Sequence, residues 1–357
     1  MEHHAADWAT TRPVVAGTHG VVAAGHPLVS MAGMRMLLGG GNAFDAAVAA
    51  GFAAAVVEPT ASYTLCGECV ALIHDARRGE THAVSGQGTA PGLATIPFFR
   101  GRRLDRIPTG PGADAHLSFT VPGAVDAYLT IFERFGTRSL AEVLAPAVHY
   151  AERGFPMYEY MHRMLAIPET RAQFDVYPPG GRDVFYPGGR TPSVGELFVQ
   201  PALAGTLKRL VDAAASAGGD RGAGVAAARE RFYRGDVAAM IGAFSERLGG
   251  LLRAGDLAGY RARVEPPQGF RQHGLGEQRA HRRDAATGVE DVVTAGRVEV
   301  ELGPRVRHPE HAVHVLVHGE AALGVVHRRR QHLAHRARAV GLEQGEEGVH
   351  RPRHGEG

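Results

Sequence analysis

The sequence predicts a mixed fold, α+β or α/β, and three observations point there. A short apolar strand precedes two helices, a hairpin follows them, and helical patterns dominate the chain from there to about residue 267. The second helix is alanine-rich and nearly uncharged, so it must be covered on most sides. No internal repeat is present, and the order of elements excludes a helical bundle and a β sandwich. With 357 residues, 44% of them hydrophobic, the chain can build one large domain or two modest ones.

Residues 14–24 read as a strand of small apolar residues that ends in a turn at Gly25-His26-Pro27. Ser30 is the expected N-cap of a helix through Leu38, which Gly39-Gly40-Gly41 stops. Asn42 caps the next helix, 43–57, and Glu58-Pro59 ends it. Residues 69–74 and 81–84 form a hairpin around Ala76-Arg77-Arg78-Gly79. From Thr89 to Pro122 the prolines at 91, 97, 108, 111 and 122 indicate loops. A helix over 123–135 is followed by one capped at Ser139, with Glu142 at the capping-box position. Further helices are expected at 157–166, 201–216, 222–230 and 236–248, and Asp256 is expected to cap a short one through Tyr260.

Composition narrows the function classes. A formal net charge of +2 gives no global field calling for nucleic acid or a membrane surface. Cys66 and Cys69 alone cannot make a disulfide framework. No stretch has the length of a membrane span, and residues 1–13 form a polar extension without a signal-peptide pattern, so the expected location is the cytoplasm. Cys66-Gly67-Glu68-Cys69, with His74 and His82, is half of a zinc pattern, and packed cysteines are the simpler reading. Asp105, His116 and Ser118 lack the G-x-S-x-G elbow of a hydrolase triad. Gly39-Gly40-Gly41 lacks the lysine of a phosphate loop and serves as a helix break.

Residues 268–357 differ from the rest. They hold eleven of the twenty histidines and fourteen arginines, contain no Ser, Ile, Lys, Asn, Met, Tyr, Trp or Cys, and offer only Phe270 as an aromatic anchor. Such a composition does not offset the entropy of ordering a chain, so this His/Arg-rich tail is expected to be disordered or frame-shifted. His308, His311 and His314 recur at three-residue spacing without the carboxylate or cysteine company of a designed metal site. The arginine runs lack the interleaved aromatics that stack bases.

Several segments, in order, resemble gamma-glutamyltranspeptidases. They begin with Gly20-Val21-Val22-Ala23-Ala24-Gly25-His26-Pro27 and Gly40-Gly41-Asn42-Ala43-Phe44-Asp45-Ala46-Ala47-Val48-Ala49, then Glu58-Pro59. Gly86-Gln87-Gly88-Thr89-Ala90-Pro91 is similar to the family's G-R-E-T-A-P, and Val121-Pro122-Gly123 to its V-P-G. Leu140-Ala141-Glu142-Val143-Leu144, Gly154-Phe155-Pro156, Phe232-Tyr233-Arg234-Gly235, Asp256-Leu257-Ala258-Gly259-Tyr260 and Glu265-Pro266 follow in register.

That resemblance implies an α+β fold, an incomplete αββα N-terminal-nucleophile hydrolase sandwich, with 14–267 as its helix-rich large-subunit part. It implies an autoprocessed precursor in which a threonine becomes the first residue of a small subunit. The threonine hydroxyl attacks the gamma-glutamyl donor, its own amine acts as base, and an acyl-enzyme passes to water or an amino acid. A donor such as glutathione and a small-subunit chain are the implied partners, and no cofactor or metal is implied.

Two departures matter. Gln87 stands at the arginine that binds the donor's α-carboxylate, and Gly88 stands at the motif's glutamate. A neutral amide replaces a bidentate charged fork there, which points to weakened donor binding or another acyl donor. No T-T-H-like segment follows the last match, and the tail's only threonines are Thr287 and Thr294. The expectation is therefore a large-subunit chain truncated before its nucleophile and inactive alone. A scaffold or partner-binding remnant and a related amidohydrolase with a different donor are the alternatives.

Overall fold

The computed structural model describes residues 16–61, 63–108, 112–176, 180–267 and 299–301. All of these belong to one unit, 1–319. The polar extension and most of the tail, with Thr287, Thr294, His308, His311 and His314, lie outside the described residues.

Strand β1 is Val21–Ala23, the last part of the run expected to be extended. Helix α1, Pro27–Leu38, starts a turn earlier than Ser30 would place it. The imidazole of His26 accepts from the Leu28 N–H at 3.1 Å, and Pro27 sits where a helix needs no N–H. The next helix, α2, is Ala43–Val57, and all fifteen of its residues are buried. Its entry is a reciprocal capping box: Asn42 Oδ1 accepts from Asp45 N–H at 2.9 Å, and Asp45 Oδ2 accepts from Asn42 N–H at 2.8 Å. Asp45 also accepts from the Thr137 N–H and hydroxyl at 2.9 and 2.6 Å, tying α2 to a turn ninety-two residues away.

The hairpin joins β2, Cys69–Asp75, to β3, Glu80–Gly86, as expected. Helix α3, Ile96–Gly101, occupies part of the proline-rich stretch expected to be loop, with Thr95 as its cap. The helices α4, Ala124–Phe135, and α5, Leu140–Arg153, flank Thr137, and the Ser139–Glu142 capping box of α5 is present. Strand β4, Phe155–Pro156, comes next. Three short helices follow: α6, Glu159–Ala166; α7, Pro168–Val176; and α8, Gly180–Phe185. Strand β5, Leu197–Phe198, pairs antiparallel with β4.

The later helices are α9, Pro201–Ser216; α10, Arg221–Tyr233; α11, Asp236–Arg247; and α12, Ala254–Ala258. Asp256 lies inside α12 rather than capping it. Its carboxylate accepts from the Arg253 N–H at 2.8 Å and the Gly92 N–H at 2.9 Å. Strand β6, Arg263–Glu265, makes β3 the centre of an antiparallel sheet ordered β2-β3-β6. Within the tail, β7, Glu299–Glu301, pairs antiparallel with β1.

Helices and strands are thus mixed around a main core in which α2 packs against α1, α4 and α5, and Phe99, Leu117 and Leu251 form a second, smaller cluster. The sheet turns Cys69, Ala71, Ile73 and Val84 inward, all buried, and α4 packs on it. Its other face carries Leu72, which is exposed. No helix among the described residues is long and apolar enough to cross a membrane.

Candidate functional site

Gln87 leaves the end of β3 with its side chain exposed to solvent. Its backbone, in contrast, is fixed on both sides. The Tyr260 hydroxyl donates to the Gln87 carbonyl at 2.9 Å, and Gly88 N–H donates to Glu68 Oε1 at 3.1 Å. Glu68 arrives from the loop before β2, and that loop is anchored in turn. The Gly67 carbonyl accepts from Gly123 and Ala124 N–H groups at 3.0 and 2.9 Å, which satisfies two donors at the start of α4. Val121 N–H donates to the Thr89 carbonyl at 2.9 Å, so the 86–91 and 120–123 segments run side by side.

Glycine is required at this junction by close approach. A Cβ on Gly123 would lie 2.0 Å from the Gly86 carbonyl oxygen and 2.7 Å from the Tyr260 hydroxyl. A Cβ on Gly86 would lie 2.5 Å from Ala127 Cβ. The end of the hairpin and the first turn of α4 therefore touch backbone to backbone, which fixes where Gln87 emerges.

Beneath the junction lies a buried ionic network. Asp126, with no exposed area, accepts from Arg229 Nε at 2.6 Å through Oδ1 and from Ala262 N–H at 2.6 Å through Oδ2. Arg229 also donates to Glu133 Oε2 at 2.9 Å. Tyr233 donates its hydroxyl proton to the Pro122 carbonyl at 2.9 Å and accepts from Asp126 N–H at 3.0 Å. The Tyr233 and Tyr260 rings stack at 5.8 Å. Burial, reinforced by the Asp126 charge, holds both phenols far above their ordinary range, so both stay protonated donors. Burial alone would lower Arg229, yet its hydrogen bonds and charge pairing with Asp126 and Glu133 raise it overall. The network joins α4, α10 and the entry to β6, and through Tyr260 it reaches Gln87.

Sequence reasoning singled out Gln87 but not Glu68 as a site residue, nor Asp126, Arg229 or Tyr260. The available signal was Asp126 itself, a carboxylate in the apolar run that opens α4.

The other constellations come apart. Cys69 is buried in β2, and burial pushes its thiol up to about 12. Cys66 is exposed at its edge, yet the protein crowded around the thiol pushes it up to about 11. His74 Nδ1 meets Thr81 Oγ1 at 2.9 Å, and His82 Nε2 lies 3.4 Å from Glu80. Among the described residues no group of three or more His, Cys, Asp or Glu side chains is arranged to hold a metal. The Ser118 hydroxyl donates to the Ala115 carbonyl at 2.8 Å, within its own turn. Gly39 to Gly41 separate α1 from α2, with Gly40 at φ 81°.

One further acid is perturbed. Glu58, at the end of α2, is buried, and burial pushes it up to about 7. A Cβ on Gly25 would lie 2.2 Å from Glu58 Oε1, so the chain passes hard against this carboxyl group. The buried Tyr63 hydroxyl has no hydrogen-bond partner among the described residues.

With this geometry established, comparison with known proteins is informative. The family model for gamma-glutamyltranspeptidase matches residues 29–274. The acylase ACY 1 proenzyme of Pseudomonas sp. (strain SE83) is 33% identical over 269 residues, 73% of this chain and 44% of its own length. The oxamate amidohydrolase proenzyme of Klebsiella pneumoniae is 36% identical over 255 residues, 70% of this chain and 44% of its own length. The crystal structure of Helicobacter pylori gamma-glutamyltranspeptidase superposes with a TM-score of 0.62 at 30% identity, covering 73% of this chain and 70% of that one. The chain therefore spans less than half the length of the two curated relatives.

Proposed function

The chain belongs to the gamma-glutamyltranspeptidase family, and from that premise we propose that it is the large-subunit part of an amide-cleaving acyl-transfer enzyme whose donor is not held by an arginine. Residues 14–267 form the large-subunit side of an αββα sandwich, and the sheet face that exposes Leu72 is where the second sheet lies. The nucleophile comes from a threonine at the start of a small-subunit segment. Its hydroxyl attacks the amide carbonyl, its own amine takes the proton, the amine product leaves, and water or an amine resolves the acyl-enzyme. Backbone N–H groups carry the oxyanion.

The observation behind the donor reading is Gln87. Its carbonyl is held by Tyr260 and the adjoining Gly88 N–H by Glu68, so the backbone point from which its amide side chain emerges is fixed. An amide there cannot supply the charge-assisted fork that an α-carboxylate takes from arginine, a difference of about 1.5–3 kcal/mol. The oxamate amidohydrolase relative favours an amide donor other than a gamma-glutamyl one, although glutathione hydrolase proenzymes also stand among the relatives. The test is hydrolysis by the protein from its own source of a gamma-glutamyl anilide against acyl anilides without an α-carboxylate. Higher kcat/KM for the latter is expected, and a clear preference for the gamma-glutamyl anilide, as for a glutathione hydrolase, would remove the Gln87 reading.

A further inference from the structure

We propose that Glu68 sets the charge preference of the donor position beside Gln87, so that the site takes acyl amides bearing an ammonium group in preference to a carboxylate. This rests on the donor-site reading above and adds the chemical class of the donor.

Glu68 is half-buried, and one of its oxygens accepts from the Gly88 N–H at 3.1 Å, one residue from Gln87. It is not a free surface carboxylate. The loop that carries it is fixed by Gly67, whose N–H donates to the Thr64 carbonyl at 3.0 Å and whose own carbonyl accepts from two N–H groups of α4. No cation pairs with Glu68 among the described residues. The guanidinium on the adjoining strand, Arg263, lies opposite Ser85 in the β3–β6 ladder and is engaged by Glu265 at 3.3 Å. The Tyr260 hydroxyl is committed to the Gln87 carbonyl.

A ligand group approaching Gln87 therefore meets a neutral amide and a carboxylate that has no paired cation among the described residues. An incoming carboxylate would face like charge, and the Arg263 guanidinium on the adjoining strand is already engaged by Glu265. An incoming ammonium would gain a charge-assisted hydrogen bond to Glu68 while Gln87 Oε1 accepts a second one. Replacing arginine by glutamine and supplying a carboxylate one residue away inverts the sign of the position.

The experiment is a ligand-observed NMR titration of the full chain with three small amides of similar size: gamma-aminobutyramide, succinamic acid and butyramide. Gamma-aminobutyramide is expected to bind tightest. Glu68→Gln keeps an oxygen to accept from Gly88 N–H, so the loop stays in place. It should weaken gamma-aminobutyramide about tenfold and leave butyramide unchanged. Gln87→Arg should shift the preference toward succinamic acid. Tighter binding of succinamic acid by the unaltered chain, above all if Arg263→Gln abolishes it, overturns the inference and leaves the donor site standing. So does a Glu68→Gln variant with unchanged affinity for gamma-aminobutyramide. Binding of none of the three overturns the donor-site reading and the inference with it.

Discussion

Replacing Asp126 with alanine should cost much of this protein's stability. Asp126 has no exposed area and meets two donors from distant parts of the chain, Arg229 Nε and Ala262 N–H, both at 2.6 Å. The Arg229 side chain is only 9% exposed. Without Asp126 it keeps Glu133, a half-exposed partner at 2.9 Å, but loses its buried one. Breaking one side of a buried pair costs about 3–5 kcal/mol, and the orphaned Ala262 N–H adds about 1–3 kcal/mol where water cannot reach it. Because both losses fall in one network they overlap, and a total on the order of 4 kcal/mol is expected against a whole-domain stability of about 5–15 kcal/mol. Asp126→Asn does not escape, because an amide offers one acceptor where two donors converge. The assay is urea unfolding followed by far-ultraviolet circular dichroism for both variants and for the double variant Asp126→Ala with Arg229→Met. The double variant should be less damaged than the sum of its parts. A loss below about 1 kcal/mol in Asp126→Ala would refute the claim that this network holds the site together.

Three further outcomes follow from other contacts. Glu58 is raised from its ordinary 4.5 to about 7, so its contribution to stability is complete below pH 4.5 and is lost as pH climbs through 7. Glu58→Gln should therefore gain on the unaltered protein as pH rises, by up to about 3 kcal/mol above pH 7; an equal gap in urea midpoints at pH 4.5 and 8.5 would contradict this. Gly51→Ala places a Cβ 2.7 Å from the buried Tyr128 ring and should cost about 1–3 kcal/mol by overpacking, read as a lowered urea midpoint. A disulfide thiol reagent should modify Cys66 slowly and leave buried Cys69 untouched until denaturant is added; rapid modification of both in the folded protein would show that the β2 edge is open.

The elements the sequence makes plain are those whose signals are local. Asn42 and Asp45 lie three residues apart and cap each other, as do Ser139 and Glu142, and both helices begin where this spacing says. The hairpin is equally local, with a four-residue turn between alternating strands. Start positions go astray where a residue plays an uncommon part. His26 caps α1 through a ring nitrogen, a role usually read from Ser, Thr, Asp or Asn. Pro97 falls in the first turn of α3, where proline is tolerated, so the segment reads as loop and folds as helix. Asp256 accepts from the chain start of α12 whether it stands at the cap or three residues in, and spacing alone does not separate the two. The candidate site divides in the same way. Gln87 stands out because its motif is contiguous. Asp126 meets Arg229 and Ala262 at separations of 103 and 136 residues, and no window along the chain brings them together. Glu68 sits twenty residues from Gly88 and gains its meaning only when the two loops meet.

The most direct test of the large-subunit assignment is intact mass spectrometry of the protein from its native source, paired with amide hydrolysis. The expected result is this chain's large-subunit region accompanied by a smaller chain that begins with threonine, together with hydrolysis of an acyl anilide. A single 37.9 kDa species that hydrolyses no amide would contradict the assignment as an enzyme and leave the scaffold reading in its place.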